Sequence, residues 1–193
     1  MNLVWLQSGG CGGCSMSLLC SDARDLFGLL DDAGIRMQWH TAPEALRVLE
    51  DCASGTMTLD LLCIEGALLR GPNGTGRFHV LSGTGKPMTE WVAALARRAR
   101  YTLAIGSCAA FGGITAAGVN PTSACGLQYD GDARGGLLGA NYRSGAGLPV
   151  INVAGCPTHP GWITDTLLAL ALGSLSEADL DAVQKGMDAL EKT

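Results

Sequence analysis

The chain has no run of basic residues and no apolar stretch of membrane-spanning length. Its formal net charge is −5, so nucleic acid and anionic membrane surfaces are not expected partners. The longest apolar candidate, Leu167 to Leu172, falls far short of the roughly 20 residues that a bilayer-crossing helix needs. The first residues, Met-Asn-Leu-Val-Trp-Leu, run straight into a strand with no charged n-region, twin arginine or cleavage site. Together these absences give the expectation of a cytoplasmic protein. There is also no internal repeat and no low-complexity linker.

What is present is apolar, rich in glycine and rich in cysteine. The 193 residues are enough for one domain with a substantial core, and 47% of them are hydrophobic, which excludes a disordered segment. The 28 glycines imply many tight turns or close backbone approaches to something bound. Eight cysteines in a chain read as cytosolic point away from disulfides and toward metal or redox chemistry.

Apolar patterning divides the chain into alternating strands and helices. Val4 and Leu6 belong to a first strand ended by Ser8-Gly9-Gly10. Met16, Leu19, Cys20, Ala23, Leu26, Phe27 and Leu30 repeat at helical spacing. Met37 to His40 is predicted as a second strand. Thr41, with Pro43 and Glu44, reads as a capping-box start for a helix through Ala45, Leu49 and Cys52. Leu59 to Glu65, Tyr101 to Ile105 and Pro149 to Ala154 are predicted as further strands. Helices are predicted around Trp91 to Ala99 and Trp162 to Leu172, and Leu180, Val183, Met187 and Leu190 mark a last amphipathic one behind Ser176 and Asp179. Strands that are apolar throughout, alternating with helices, predict an α/β fold with a parallel sheet covered on both faces, of the flavodoxin-like doubly wound kind. Gly66 to Pro87 and Phe111 to Pro149 break the alternation; Gly-rich loops of that length are functional or form interfaces more often than they are plain connections.

Four cysteines fall at the carboxyl ends of predicted strands, where open α/β sheets place their sites. Cys11-Gly12-Gly13-Cys14 follows the first strand, Gly106-Ser107-Cys108 the fourth and Gly155-Cys156-Pro157 the fifth. Four converging thiolates suit an iron–sulfur cubane. Gly9, Gly10, Gly12 and Gly13 would bring backbone N–H groups close to its sulfurs, with the positive end of the following helix behind them. Two other chemistries use the same residues. A thioredoxin-like CxxC also sits between strand and helix, although it leaves Cys108 and Cys156 without a role. Zinc takes four thiolates too, although structural zinc sites usually come as two local knuckles.

Trp5 to Cys14, Glu65-Gly66, Gly106-Ser107-Cys108-Ala109 with Gly112-Gly113, and Gly155-Cys156-Pro157 together resemble the small subunit of nickel–iron hydrogenases. The likeness runs over about residues 3 to 172, and through Cys156-Pro157-Thr158-His159-Pro160 it looks closest to the cytoplasmic hydrogen-sensing and uptake branch. The resemblance implies that Cys11, Cys14, Cys108 and Cys156 bind one 4Fe–4S cluster, the proximal one. It implies a Ni–Fe site in a partner large subunit, and an electron acceptor or a sensor kinase beyond. The related quinone-reductase subunit of respiratory complex I has adjacent cysteines where this chain has CxxC, so the spacing favours hydrogenase. Gly13 and Gly113 stand where oxygen-tolerant relatives have extra cysteines, which implies an ordinary cubane, and Gly10 stands where many relatives have a glutamate. Members of that family usually continue into a cysteine-rich second domain; the expectation here is a short form, natural or shortened, divided into residues 1–173, holding the cluster, and 174–193, the amphipathic helix.

Cys20, Cys52 and Cys63 are expected in the core, and Cys125 as a free thiol in the long loop. Glu65 ends the third strand; in the resemblance it lies near the large-subunit interface and a proton path, with an ordinary hydrogen-bonded acid as the alternative. His159 is expected as a hydrogen-bonded loop histidine. Ser82 to Pro87 imitates a phosphate loop but has Val80 for the leading glycine and Pro87 for the Ser or Thr, so no nucleotide is expected.

Overall fold

The computed structural model describes residues 1–21, 26–39 and 44–180. The strands are β1 (Asn2–Gln7), β2 (Arg36–Trp39), β3 (Leu61–Glu65), β4 (Leu68–Leu69), β5 (Tyr101–Ile105), β6 (Ala124–Cys125), β7 (Tyr129–Asp130), β8 (Ala133–Arg134) and β9 (Ile151–Val153). The helices are α1 (Gly13–Leu19), α2 (Leu26–Asp32), α3 (Ala45–Ser54), α4 (Met88–Ala96), α5 (Gly106–Phe111), α6 (Gly113–Ala116) and α7 (Pro160–Ala171). The fold is α/β. Its main sheet has five strands in the order β2-β1-β3-β5-β9, and all four pairings are parallel.

Every residue of β3 and β5 is buried, as strands covered on both faces require. The period of two sorts the side chains between two cores. Leu3 and Trp5 of β1 pack with α1, α2 and α7 through Leu18, Leu30, Ile163 and Leu167. Val4 and Leu6 face the other way, against Leu49 of α3 and Val92 and Leu95 of α4. Each such fully buried aliphatic side chain contributes about 1.5–3 kcal/mol, so both layers hold the sheet in register. Among the described residues no helix is long and apolar enough to cross a membrane.

Several boundaries differ from the sequence expectation. The single helix expected from Met16 to Leu30 is two, because Cys20 leaves helical geometry at φ −90°, ψ 12° as the C-cap of α1. Ala23 lies outside the described residues. So do His40, Thr41 and Pro43, and α3 starts with Glu44 as an N-cap that makes no side-chain bond. Val183, Met187 and Leu190 of the expected last helix also lie outside the described residues; at its start, Ser176 donates from N and Oγ to Asp179 Oδ2 at 2.8 and 2.6 Å.

The two Gly-rich segments are tied to each other. β4 pairs with β6 and β7 with β8, both antiparallel, and Arg70 Nη2 meets Asp130 Oδ2 at 2.6 Å. Gly126 lies so close to α5 that a Cβ there would sit 2.1 Å from the Ala110 carbonyl oxygen. Strands of two residues carry no readable period, which is why these segments look irregular in sequence.

Candidate functional site

The parallel sheet places the ends of β1, β3, β5 and β9 along one edge. Cys11 and Cys14 follow β1, Cys108 lies in α5 directly after β5, and Cys156 follows β9. All four line one cavity, together with Glu65 at the end of β3 and Pro157, whose peptide bond to Cys156 is cis. Cys14 is buried, Cys108 half-buried, and Cys11 and Cys156 are exposed.

The backbone is shaped around the sulfurs. Gly106 has φ +87°, and a Cβ on it would lie 2.6 Å from Cys14 Sγ. Gly113 has φ +54°, and its Cβ would lie 2.6 Å from Cys108 Sγ. At these two positions a side chain would be both strained and in collision with a candidate ligand. Amide donors reach the same sulfurs: Gly13 N donates to Cys11 Sγ at 3.3 Å and Thr158 N to Cys14 Sγ at 3.5 Å. The Ile114 N–H donates to Cys108. Thr158 Oγ1 donates to the Val153 carbonyl at 2.9 Å and lies 3.7 Å from Cys14 Sγ.

Burial pushes the Cys14 thiol up; the Thr158 donors oppose this, while the charges of Glu65 and Cys11 add to it. Burial likewise raises Cys108, and Cys156, Cys11 and Cys14 add to it electrostatically. Sulfurs that repel one another as thiolates call for positive charge between them. Among the described residues no three His, Cys, Asp or Glu side chains are arranged to ligate a single ion. A lone zinc would need its sulfurs roughly 3.8 Å apart, given Zn–S bonds of about 2.3 Å. Four thiols around one cavity, with amide donors aimed at them, fit a group that places its own iron and sulfide atoms between the ligands.

Glu65 has a role that the sequence did not reveal. It is 4% exposed, and its carboxylate accepts from Cys14 N at 2.9 Å, Ser15 N at 3.1 Å and Ser15 Oγ. The first turn of α1 is therefore shared: the Gly13 amide points at Cys11 Sγ, and the Cys14 and Ser15 amides at Glu65. The signal was present but ambiguous: Gly12 as N-cap has no side chain to bond the first turn, so a cap had to come from elsewhere in the chain.

The other cysteines divide differently from expectation. Cys52 and Cys63 are buried as expected, but Cys20 is exposed at the end of α1, because the helix stops there. Cys125 is a free thiol, as expected, but it is buried in β6, with its Sγ 3.7 Å from the Leu68 carbonyl. Burial pushes Cys52 up to about 11 and raises Cys63 and Cys125 as well. Thiols raised in this way stay protonated at pH 8 and react slowly. Iodoacetamide at pH 8 is expected to modify Cys20 while Cys52, Cys63 and Cys125 stay unmodified until denaturant is added, as read by peptide mass mapping. Modification of Cys63 in the folded chain at the rate of Cys20 would contradict its burial. His159 caps α7, accepting from Gly161 N through Nδ1 at 3.1 Å. Leu81 N bonds the Lys86 carbonyl at 3.1 Å, so Ser82 to Pro87 is a tight turn rather than a phosphate cradle.

An α/β domain with a four-cysteine cavity at its carboxyl edge is the class that these elements define. The chain belongs to the family described as NADH ubiquinone oxidoreductase, 20 Kd subunit, whose model matches residues 11–170. The relatives it matches include small subunits of NiFe and NiFeSe hydrogenases. It is 32% identical to the F420 non-reducing hydrogenase II small subunit of Methanosarcina mazei, over 92% of this chain and 50% of that one. It is 30% identical to the periplasmic [NiFeSe] hydrogenase small subunit of Desulfomicrobium baculatum, over 86% and 53%. The actinobacterial-type NiFe-hydrogenase of Ralstonia eutropha H16 superposes with TM-score 0.73 at 28% identity, over 91% of this chain and 55% of that one. The chain thus spans about half the length of the curated relatives it matches.

The cytoplasmic expectation is corrected by these relatives, which include periplasmic hydrogenase small subunits, that of Desulfomicrobium baculatum among them. The physical reason is that the packed domain is the same on either side of a membrane, so neither its composition nor its first strand reports the compartment.

Proposed function

We propose that this chain is the electron-relay subunit of a nickel–iron hydrogenase, holding one 4Fe–4S cluster on the thiolates of Cys11, Cys14, Cys108 and Cys156. The observation that carries the reading is the convergence of these cysteines, from three strand ends, on one cavity. When bound, such a cluster supplies one-electron transfer. The chain's own residues set the conditions for it: Cys14 and Cys108 are drawn out of water, Gly13, Ile114 and Thr158 donate to sulfur, and Gly106 and Gly113 let the backbone close in. Hydrogen would be split at a Ni–Fe site in a separate large subunit, since the four thiolates here are all engaged by the cubane. Exposed Met16, Ile114 and Trp162 stand a few residues from Cys14, Cys108 and Cys156, and supply the apolar surface for that partner.

The strand order β2-β1-β3-β5-β9 supports a flavodoxin-like, doubly wound assignment, with ligands at the carboxyl edge. Residues 1–173 form the cluster domain in this reading. The finer placement in the hydrogen-uptake and sensing branch rests on Cys156 to Pro160. Very slow turnover with binding to a regulatory kinase would favour the sensing role over the metabolic one.

Metal content tests the reading. The full chain, prepared anaerobically, should contain about four irons and four sulfides, as a cysteine-ligated cubane requires, and should show the EPR signal of a reduced 4Fe–4S centre. One zinc per chain with no sulfide would overturn it.

A further inference from the structure

The Glu65 carboxylate is surrounded by donors. Cys14 N reaches Oε1, while Ser15 N, Ser15 Oγ and Gln7 Nε2, the last at 3.5 Å, reach Oε2. The Ser15 hydroxyl gives its proton to Glu65 and accepts from Trp5 Nε1 at 3.0 Å, so it cannot turn to serve as an acceptor's partner in reverse. Only an acceptor-only group satisfies such a shell; an amide would set an N–H against one of the donors. Glu65 sits at the end of β3, in register with Gln7 of β1, and reaches across to hold the first turn of α1.

We propose that Glu65 is the positioning residue for Cys14 and a fixed negative charge that lowers the reduction potential of the cluster. This inference rests on the cluster reading above. The amide that Glu65 holds belongs to the same residue as the Cys14 thiol, so the carboxylate fixes where that sulfur stands. Glu65 also lines the cavity itself, where burial leaves its charge weakly screened. Reduction adds one electron to an already anionic cluster and makes or breaks no bond. A buried carboxylate beside it opposes that addition.

The test is an EPR-monitored redox titration of the full chain co-expressed with its partner subunit. Glu65→Gln should move the midpoint potential to more positive values. Asp51→Asn, the same loss of charge on the distant exposed face of α3, should leave it where it is. Glu65→Asp keeps the charge but draws it back by one methylene. It should give a smaller positive shift, and faster hydrogen exchange at the amides of Cys14 and Ser15. A merely structural role would lower cluster content in all Glu65 variants without moving the potential of the clusters retained. If Glu65→Gln fails to load, the Asp variant decides: unchanged potential and unchanged amide protection would overturn the proposal. A loaded wild type whose potential ignores Glu65 overturns this inference alone. A wild type with no cluster overturns the function reading, and this inference with it.

Discussion

Replacing Cys108 with serine is expected to abolish the 4Fe–4S signal, while the same replacement at Cys63 leaves it intact. Cys108 reaches the shared cavity from the first turn of α5, and a serine oxygen is a poor ligand for a centre that takes thiolates. Cys63 lies inside β3 with no exposure and packs against the α1, α2 and α7 side of the sheet. A hydroxyl there meets no cluster and costs about 1–3 kcal/mol as a buried, poorly partnered polar group. Cys52→Ser should behave like Cys63→Ser, and Cys20→Ser should stay within about 0.5 kcal/mol of the parent, because that side chain is exposed. Iron and sulfide content, EPR and thermal denaturation read out the series. Retention of a wild-type spectrum by Cys108→Ser, with its loss in Cys63→Ser, would reverse the ligand assignment.

Gly106→Ala should be nearly as damaging, although it removes no ligand. At φ +87° a non-glycine residue carries strain of about 1–2 kcal/mol. The new methyl would stand 2.6 Å from Cys14 Sγ, where overpacking adds about 1–3 kcal/mol. The expected outcome is a fall in stability of roughly 2–5 kcal/mol and, in the proposed reading, loss of cluster, because the sulfur that must yield is one of the four proposed ligands. Gly118→Ala is the matched control: φ is +67° with nothing within 4 Å of the added atom, so it carries the strain without the collision. Denaturant titration compares the two. Equal destabilisation would mean that Cys14 is free to move away, and that the close fit at the cavity has no energetic weight.

Much of this was legible in the residues. The buried runs of β3 and β5 could be located because strands covered on both faces have no polar alternation to blur them. The four site cysteines stood out because each follows such a run, and a parallel sheet collects its strand ends on one edge. Glu65 was harder. Its position was clear, but its partners Cys14 and Ser15 come from another element, and nothing local marks a cap supplied across the sheet. The exposure of Cys20 and the burial of Cys125 were hidden for related reasons. Periodicity carried the first helix past Cys20, where the backbone in fact turns out of the helix. Cys125 belongs to a two-residue ladder with Leu68, too short to show any pattern, yet it packs in the core. The compartment was not legible at all, since no force holding the fold depends on it.

The spacing of the cavity's cysteines along the chain dictates an order of events during synthesis. The first two thiols, at residues 11 and 14, are made well before the last, at residue 156. At translation rates of about 5–20 residues per second, the early pair waits several seconds or more for its companions. Until β9 has docked beside β5, only three of the cavity's four thiols are in place, and they are not yet held together by a finished sheet. In the proposed reading, loading of iron and sulfide would therefore be a late, post-folding step. A ribosome stalled before residue 151 would display Cys11 and Cys14 without the β9 end of the cavity beside them.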